Sequence, residues 1–249
     1  MVTQVTNVRY GGLDMLTKIT LNNFKSFKNK VTVDLMKTNY TILPQNVADN
    51  GVLKGCILVG ANASGKSNII LGIRLLLDFL FLERNINSGI FRCIFGESSC
   101  YSLEYEFLIE DKPIKYNFEV DAAKNMITEK LCLDNVLMLE RMGLSAKSYI
   151  ADPNGVNYDD SDVGKDTLFL RTLYFNTKFA SNPVLSAWMD YLKSSIYINL
   201  FEKNIISYGK EDVSIIRYLD RGGCESINSF FDEYNFEQNI EYEHSSKGG

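Results

Sequence analysis

The sequence predicts an α/β protein, and three observations along its 249 residues support that prediction. A short apolar run at residues 56–60 leads through a glycine-rich loop into a long apolar segment, in the order strand, loop, helix. Residues 101–139 alternate apolar and polar side chains, which is typical of antiparallel strands. From residue 167 onward the spacing of apolar residues is mainly helical. We therefore expect a core sheet, an antiparallel β lobe and a C-terminal helical segment.

The elements before the loop are predicted to be strands. Residues 16–24 and 31–35 each carry an alternating pattern and should form a hairpin around residues 26–30. Residues 56–60 read Cys-Ile-Leu-Val-Gly, a continuous apolar run that is typical of a central strand buried on both faces. Residues 68–84 are rich in leucine and favour a buried helix, because the stretch is shorter than the roughly 20 apolar residues that a membrane span needs.

The later elements change in character along the chain. Three alternating stretches between residues 101 and 139, separated by polar turns, predict an antiparallel meander. Residues 150–166 are polar and acidic and predict an exposed loop. Residues 183–198 show the clearest helical spacing of the last segment. The predicted divisions are an N-terminal extension at 1–15, a lobe at 16–100 that contains the glycine-rich loop, the meander of the same lobe at 101–149, the acidic loop at 150–166 and a helical segment at 167–249.

Composition excludes several classes of protein. With 45% apolar residues and 29 Phe and Tyr side chains, the chain has ample surface to bury and is not a disordered protein. The five cysteines are scattered without a Cys-x-x-Cys pair, and no long apolar run marks a signal peptide at the start. These features predict a reducing, cytoplasmic environment. The net charge is −5, with +5 on residues 1–100 and −10 on the remainder, so any contact with nucleic acid is expected on the first half.

The residues that carry chemistry form a complete G-x-x-x-x-G-K-[ST] phosphate-binding loop. Glycines at its two ends permit backbone angles that let successive N–H groups point at an anion. The lysine supplies a cation for the β- and γ-phosphates and is the candidate catalytic residue, and the final serine hydroxyl is suited to Mg²⁺. The helix that follows adds the positive end of its dipole. The loop residues are Gly60, Ala61, Asn62, Ala63, Ser64, Gly65, Lys66 and Ser67.

Other nucleotide and catalytic signatures are missing from the sequence. A GTPase should carry N-K-x-D to recognise guanine, and residues 176–179 (Asn-Thr-Lys-Phe) do not fit. Residues 152–155 match the letters of a second GTPase motif, D-x-x-G, but they lie in a polar stretch that is typical of an ordinary turn. His244 is the sole histidine and lies in a polar tail, which excludes a Ser-His or Cys-His pair.

Two stretches together resemble a known family. Residues 19–27 (Ile-Thr-Leu-Asn-Asn-Phe-Lys-Ser-Phe), followed by the loop and Asn68, look like the opening of RecF/SMC-like ABC-type ATPases. The likeness is closest to the stand-alone prokaryotic AAA family ATPases of abortive infection and anti-phage defence, the OLD-like kind. It extends over roughly residues 16–249 and includes the meander. It implies a P-loop NTPase core sheet, ATP and Mg²⁺ as ligands, nucleotide contacts from Lys25, Ser26 and Asn68, and a homo-oligomer formed through the ATPase heads.

The departures from that family concern catalysis. The family implies a Walker B strand ending in Asp-Glu, a signature motif and a switch histidine. Asp232-Glu233 matches the last two residues of a Walker B motif, but the residues before it do not have the apolar pattern of a buried strand. An exposed helix is therefore the expected structure there. The chain therefore resembles the N-terminal half of such an ATPase, ending before the signature and Walker B, and we expect it to bind ATP while hydrolysing it poorly.

Two functions remain open at this point. The first is an ATPase that acts on DNA ends or structures, in DNA-related processes or anti-phage defence. The second is an ATP-gated scaffold that sequesters and releases an effector such as a nuclease or toxin, with little turnover of its own. Either would have no membrane partner.

Overall fold

The computed structural model describes residues 14–39, 43–82, 84–86, 89–150, 158–176, 179, 181–199, 204–209, 223–233 and 241. The chain divides into two compact units, one ending at Lys193 and one beginning at Ser194. The helices and strands of the first unit are β1 (Met15–Asn22), β2 (Val31–Asp34), α1 (Lys66–Phe81), β3 (Cys100–Ile109), β4 (Lys112–Asp121), β5 (Met126–Leu133), β6 (Val136–Met142), β7 (Ser145–Ser148), β8 (Tyr158–Asp160), α2 (Phe169–Phe175) and α3 (Pro183–Lys193). Those of the second unit are β9 (Ile196–Asn199), β10 (Asn204–Ser207) and α4 (Cys224–Glu233).

The first unit is built on one antiparallel sheet of eight strands, in the order β2-β1-β3-β4-β5-β6-β7-β8. The predicted hairpin is confirmed, because β1 pairs antiparallel with β2. Its other edge pairs with β3, in a register that places Ile19 opposite Tyr105. This pairing joins the hairpin and the predicted meander into a single sheet. The alternating burial of β3 and β4 follows from that arrangement, since one face of the sheet is covered.

Helices pack on the covered face of this sheet. Phe79 of α1 makes an edge contact with Phe118 of β4, with ring centroids 5.9 Å apart. Trp188 of α3 is fully buried and contacts Phe107 of β3 and Tyr116 of β4. α2 lies against α1 through the edge contact of Tyr174 with Phe81. The core of this unit is therefore aromatic, and it fixes α1, whose first residue is the lysine of the phosphate-binding loop.

The predicted central strand at residues 56–60 is wrong for this structure. The segment belongs to neither sheet, and Ile57 and Val59 are 87% and 85% exposed. A continuous apolar run predicts burial only where neighbouring strands and covering helices exist. In the part of the chain that the structure describes, every strand pairs with another named strand and none pairs with residues 56–60. This run therefore has no neighbouring strand in a sheet.

Three further differences concern local elements. Within the predicted bounds of 101–149, the meander contains β6 and β7 in addition to the three predicted stretches, and β8 pairs with β7 inside the predicted acidic loop. The predicted helix over residues 183–198 ends at Lys193, and Ile196–Asn199 form a strand that pairs with β10. The β-branched residues of Ile196-Tyr197-Ile198 favour that pairing over a helix.

The D-x-x-G match at 152–155 lies outside the described residues. Within the described ranges, no helix is long and apolar enough to cross a membrane.

Candidate nucleotide-binding site

The phosphate-binding loop curls directly before α1. Gly65 has a φ of +96°, a left-handed conformation that favours glycine, and α1 starts at the next residue. The helix takes its first hydrogen bonds at Gly65, whose carbonyl accepts from the N–H groups of Asn68 and Ile69. The N–H groups of Lys66 and Ser67, which precede these bonds, have no acceptor within the helix and are available to an anion at this position.

Lys66 closes the loop around its own ammonium group. Its Nζ donates to the carbonyl oxygens of Gly60 at 2.8 Å and Ala61 at 2.7 Å, and lies 3.4 Å from the Ser64 hydroxyl oxygen. The side chain is thus held by the loop backbone, and it remains half-exposed. A nucleotide phosphate arriving there would meet a cation already in place.

The tip of the loop is made by its variable positions. Ala63 adopts a φ of +62°, and the Ser64 N–H donates to the Ala61 carbonyl at 3.3 Å. Residues 60–64 are exposed, as is Ser67 in the first turn of α1. The hydroxyl of Ser67 is therefore open to a ligand from solvent. Six of the eight loop residues predicted from the sequence are thus accessible, while Gly65 is buried and Lys66 is half-exposed.

A tight turn packs against this loop. The backbone groups of Phe24 and Phe27 exchange two hydrogen bonds of 2.9 and 2.8 Å, which puts Lys25 and Ser26 at the tip. The Ser26 hydroxyl oxygen accepts from Nδ2 of Asn68 at 2.8 Å. A Cβ at Gly65 would lie 2.5 Å from the Phe27 ring, so this glycine also provides room for the turn.

The structure brings two of the residues that the family resemblance implies into contact and places the third in the adjacent turn. Ser26 and Asn68 contact each other beside the loop. Lys25 belongs to the same turn, and its ammonium lies 5.5 Å from the centroid of the Phe91 ring. Sequence reasoning missed Phe27, which contacts Gly65, because an aromatic residue beside a strand suggests core packing. Its place in the Phe-Lys-Ser-Phe stretch was the available signal.

The polar groups of this site fit a nucleoside triphosphate with Mg²⁺. A lysine cation, a helix N-terminus and a serine hydroxyl match phosphate oxygens and one position of an octahedral Mg²⁺. Among the described residues, no group of three or more His, Cys, Asp or Glu side chains could hold a metal ion. Mg²⁺ at Ser67 would therefore take further ligands from phosphate and water, as this ion commonly does.

The Asp-Glu pair near the end of the chain does not lie in a Walker B strand. Asp232-Glu233 is the sole Asp-Glu pair in the sequence, and it lies in α4, with Asp232 exposed. The expected helix is thus confirmed at this position. The loop, the adjacent turn and the start of α1 together form a candidate phosphate-binding site.

Comparison with known proteins gives a distant relationship. No family model matches the chain. An alignment over 176 positions, which covers 60% of the chain, is 26% identical to the Structural maintenance of chromosomes protein 3 homolog of Plasmodium falciparum (isolate 3D7). The matched part is 13% of that protein's length. This similarity supports a distant relationship to SMC-like, ABC-type ATPases.

Proposed function

We propose that this chain binds ATP with Mg²⁺ through residues 60–67, as the nucleotide-binding part of a RecF/SMC-like, ABC-type ATPase. The observation that supports it most directly is the curl of the loop around Lys66, with Ser67 exposed at the start of α1. The distant similarity to an SMC protein supports the same conclusion independently of the geometry.

Removal of the loop cation tests this proposal. Lys66→Ala should abolish calorimetric binding of ATP·Mg²⁺, because the phosphates lose their cation while the core of α1 is untouched. Lys147→Ala, which removes an exposed lysine on β7, is the matched control and should bind as the wild type does. Equal affinity in wild type and Lys66→Ala would contradict the assignment.

Guanine selectivity should be absent. The sequence has no N-K-x-D carboxylate to accept the two donors on the guanine edge, so ATP and GTP should compete for the site with similar affinity or with ATP favoured. Competition against a fluorescent ATP analogue measures the ratio. A preference for GTP of tenfold, about 1.4 kcal/mol, would show that another element recognises the base.

The wider role that we propose is DNA-related work or anti-phage defence in the cytoplasm, by a homo-oligomer that associates through its ATPase heads. It rests on the resemblance of residues 19–27 and of the loop to that family. Nucleic acid should then stimulate ATP turnover by the full protein. Unchanged turnover with duplex, nicked and single-stranded DNA would contradict a DNA-directed motor.

The second candidate is an ATP-gated scaffold that holds and releases an effector such as a nuclease or toxin. It is favoured by the placement of the sole Asp-Glu pair in a helix, because holding ATP without turnover requires no water-orienting carboxylate. An effector that co-purifies with the wild type and dissociates on addition of ATP, but stays bound to Lys66→Ala, would distinguish this candidate from the motor.

A further inference from the structure

The turn beside the phosphate-binding loop is held from its other side by a distant part of the chain. The Lys25 N–H donates to the Phe91 carbonyl at 2.8 Å. The Asn23 carbonyl accepts from the Cys93 N–H at 2.9 Å. The turn thus lies between the loop and the segment of residues 91–100, and its position depends on both.

Asn23 makes the strongest attachment to that segment. Its side-chain Nδ2 donates to the carbonyl oxygens of Ser98 at 2.9 Å and Cys100 at 2.6 Å. The residue is only 4% exposed, so these bonds are shielded from water. The side chain also lies directly against Gly96, where an added Cβ would be 1.8 Å from Oδ1. A side chain at position 96 would therefore displace Asn23.

Asn23 occupies this position at a local cost. Its φ of +49° is left-handed, which asparagine tolerates better than most residues. Its Oδ1 is buried without a hydrogen-bond partner among the described residues. A buried unpaired acceptor and a left-handed φ both reduce stability. Costs of this kind are expected where a residue serves a site.

We infer that Asn23 is a positioning residue of the nucleotide site. The inference rests on the proposed function, because it assigns Asn23 a role in ATP binding. The two Nδ2 bonds fix where the turn begins, and the turn then presents the Ser26 hydroxyl to Asn68 and the Phe27 ring to Gly65. Asn23 acts through these residues and touches no loop residue in the contacts described above.

The experiment uses the full chain with two substitutions at this position. Asn23→Gly keeps the left-handed conformation and removes both Nδ2 bonds. Asn23→Asp keeps the shape and replaces the donor with an acceptor that faces two carbonyl oxygens. Thr17→Val is the matched control, because it removes a side-chain bond to the Glu106 carbonyl (3.0 Å) at the opposite end of β1.

Two measurements separate positioning from a general loss of stability. At a temperature where circular dichroism shows each variant folded, both Asn23 variants should bind ATP·Mg²⁺ about tenfold more weakly than the wild type, about 1.4 kcal/mol. In the nucleotide-free protein, the NMR resonances of the Gly65 N–H and the Asn68 side-chain amide should shift. Thr17→Val should lower the midpoint of unfolding while leaving the affinity and those resonances unchanged.

Each result has a distinct consequence. A wild type that fails to bind ATP overturns the proposed function, whereas unchanged Gly65 and Asn68 resonances in a folded Asn23→Gly overturn the positioning role alone. Wild-type affinity in both folded Asn23 variants also overturns it. If neither Asn23 variant folds while Thr17→Val does, Asn23 belongs to the fold in general and the inference is wrong.

Discussion

Gly72 lies in α1 where the helix packs closely on the sheet. A Cβ at this position would be 2.5 Å from Leu21 Cδ2 and 3.4 Å from Ile19 Cδ1, both on β1. The Gly72 carbonyl also accepts a hydrogen bond from the buried Tyr105 hydroxyl at 2.7 Å. Glycine inside a helix costs about 1 kcal/mol relative to alanine. A glycine at position 72 allows α1 to pack closely against β1, which explains its presence inside the helix.

A valine at this position should therefore destabilise the protein. Gly72→Val adds three carbons into a filled space and should lower the free energy of unfolding by about 1–3 kcal/mol, measured by urea titration. Gly89→Val is the matched control, since a Cβ at Gly89 has no neighbour within 4 Å, and its effect should stay within about 0.5 kcal/mol. Equal stability of the two variants would mean that α1 can move away from β1 without cost.

At the scale of elements, α2 is attached to the sheet by a buried carboxylate. The residue before α2 is Leu168, which makes no side-chain cap. Glu129 of β5 replaces that cap, since its carboxylate accepts from the N–H groups of Phe169 at 2.7 Å and Leu170 at 3.2 Å. A carboxylate at a helix N-terminus also interacts favourably with the helix dipole.

The same carboxylate is neutralised by a buried arginine. Arg141 of β6 donates from Nη1 to Glu129 at 3.0 Å, and its other N–H groups reach the carbonyls of Gly143 and Gly164 at 2.7 Å. The Tyr116 hydroxyl donates to Glu129 at 2.9 Å. Burial, together with the negative charge of Glu129, raises the pKa of Tyr116 well above its usual value, so this hydroxyl stays protonated as a donor. Every charge in the cluster has a partner.

Loss of that carboxylate should be costly. Glu129→Gln leaves the Arg141 charge buried without a counter-charge and should lower the free energy of unfolding by about 3–5 kcal/mol. Glu104→Gln is the matched control, because its partner Lys115 is half-exposed and such surface pairs contribute about 0–1 kcal/mol. Chemical denaturation of both variants checks the difference. Similar losses would show that α2 is held by apolar packing alone.

At the scale of the whole chain, the described residues include the proposed phosphate site, and none of the described strands ends in a Walker B Asp-Glu pair. The turn, the loop and α1 lie together in the first unit. The sole Asp-Glu pair lies in a helix of the second unit. Phosphoryl transfer to water needs an oriented nucleophile in addition to bound β- and γ-phosphates. Binding and hydrolysis should therefore be separable in this chain.

Steady-state phosphate release by the purified 249-residue chain should be well below about 1 s⁻¹, the low end of typical enzymes. Lys66→Ala is the control for contaminating ATPases, since it should remove any turnover that belongs to this site. Turnover near 1 s⁻¹ that disappears in Lys66→Ala would show that a catalytic carboxylate acts within the chain. Asp232→Asn and Glu233→Gln would then identify it.

The sequence by itself determined the features that depend on neighbours along the chain. The phosphate-binding loop is recognisable from the spacing of Gly60, Gly65 and Lys66 alone. Its backbone angles and its cation depend on residues that are neighbours in the sequence. The β1–β2 hairpin, the alternating β3 and β4, and α1 follow equally from local periodicity.

Only the tertiary structure decided which residues meet across long separations. It placed Phe27 against Gly65, Asn23 against the carbonyls of Ser98 and Cys100, and Glu129 at the start of α2. It also left Ile57 and Val59 exposed, although their composition is that of a buried strand. Burial and long-range hydrogen bonds are properties of pairs of segments. No periodicity within one segment specifies its partner.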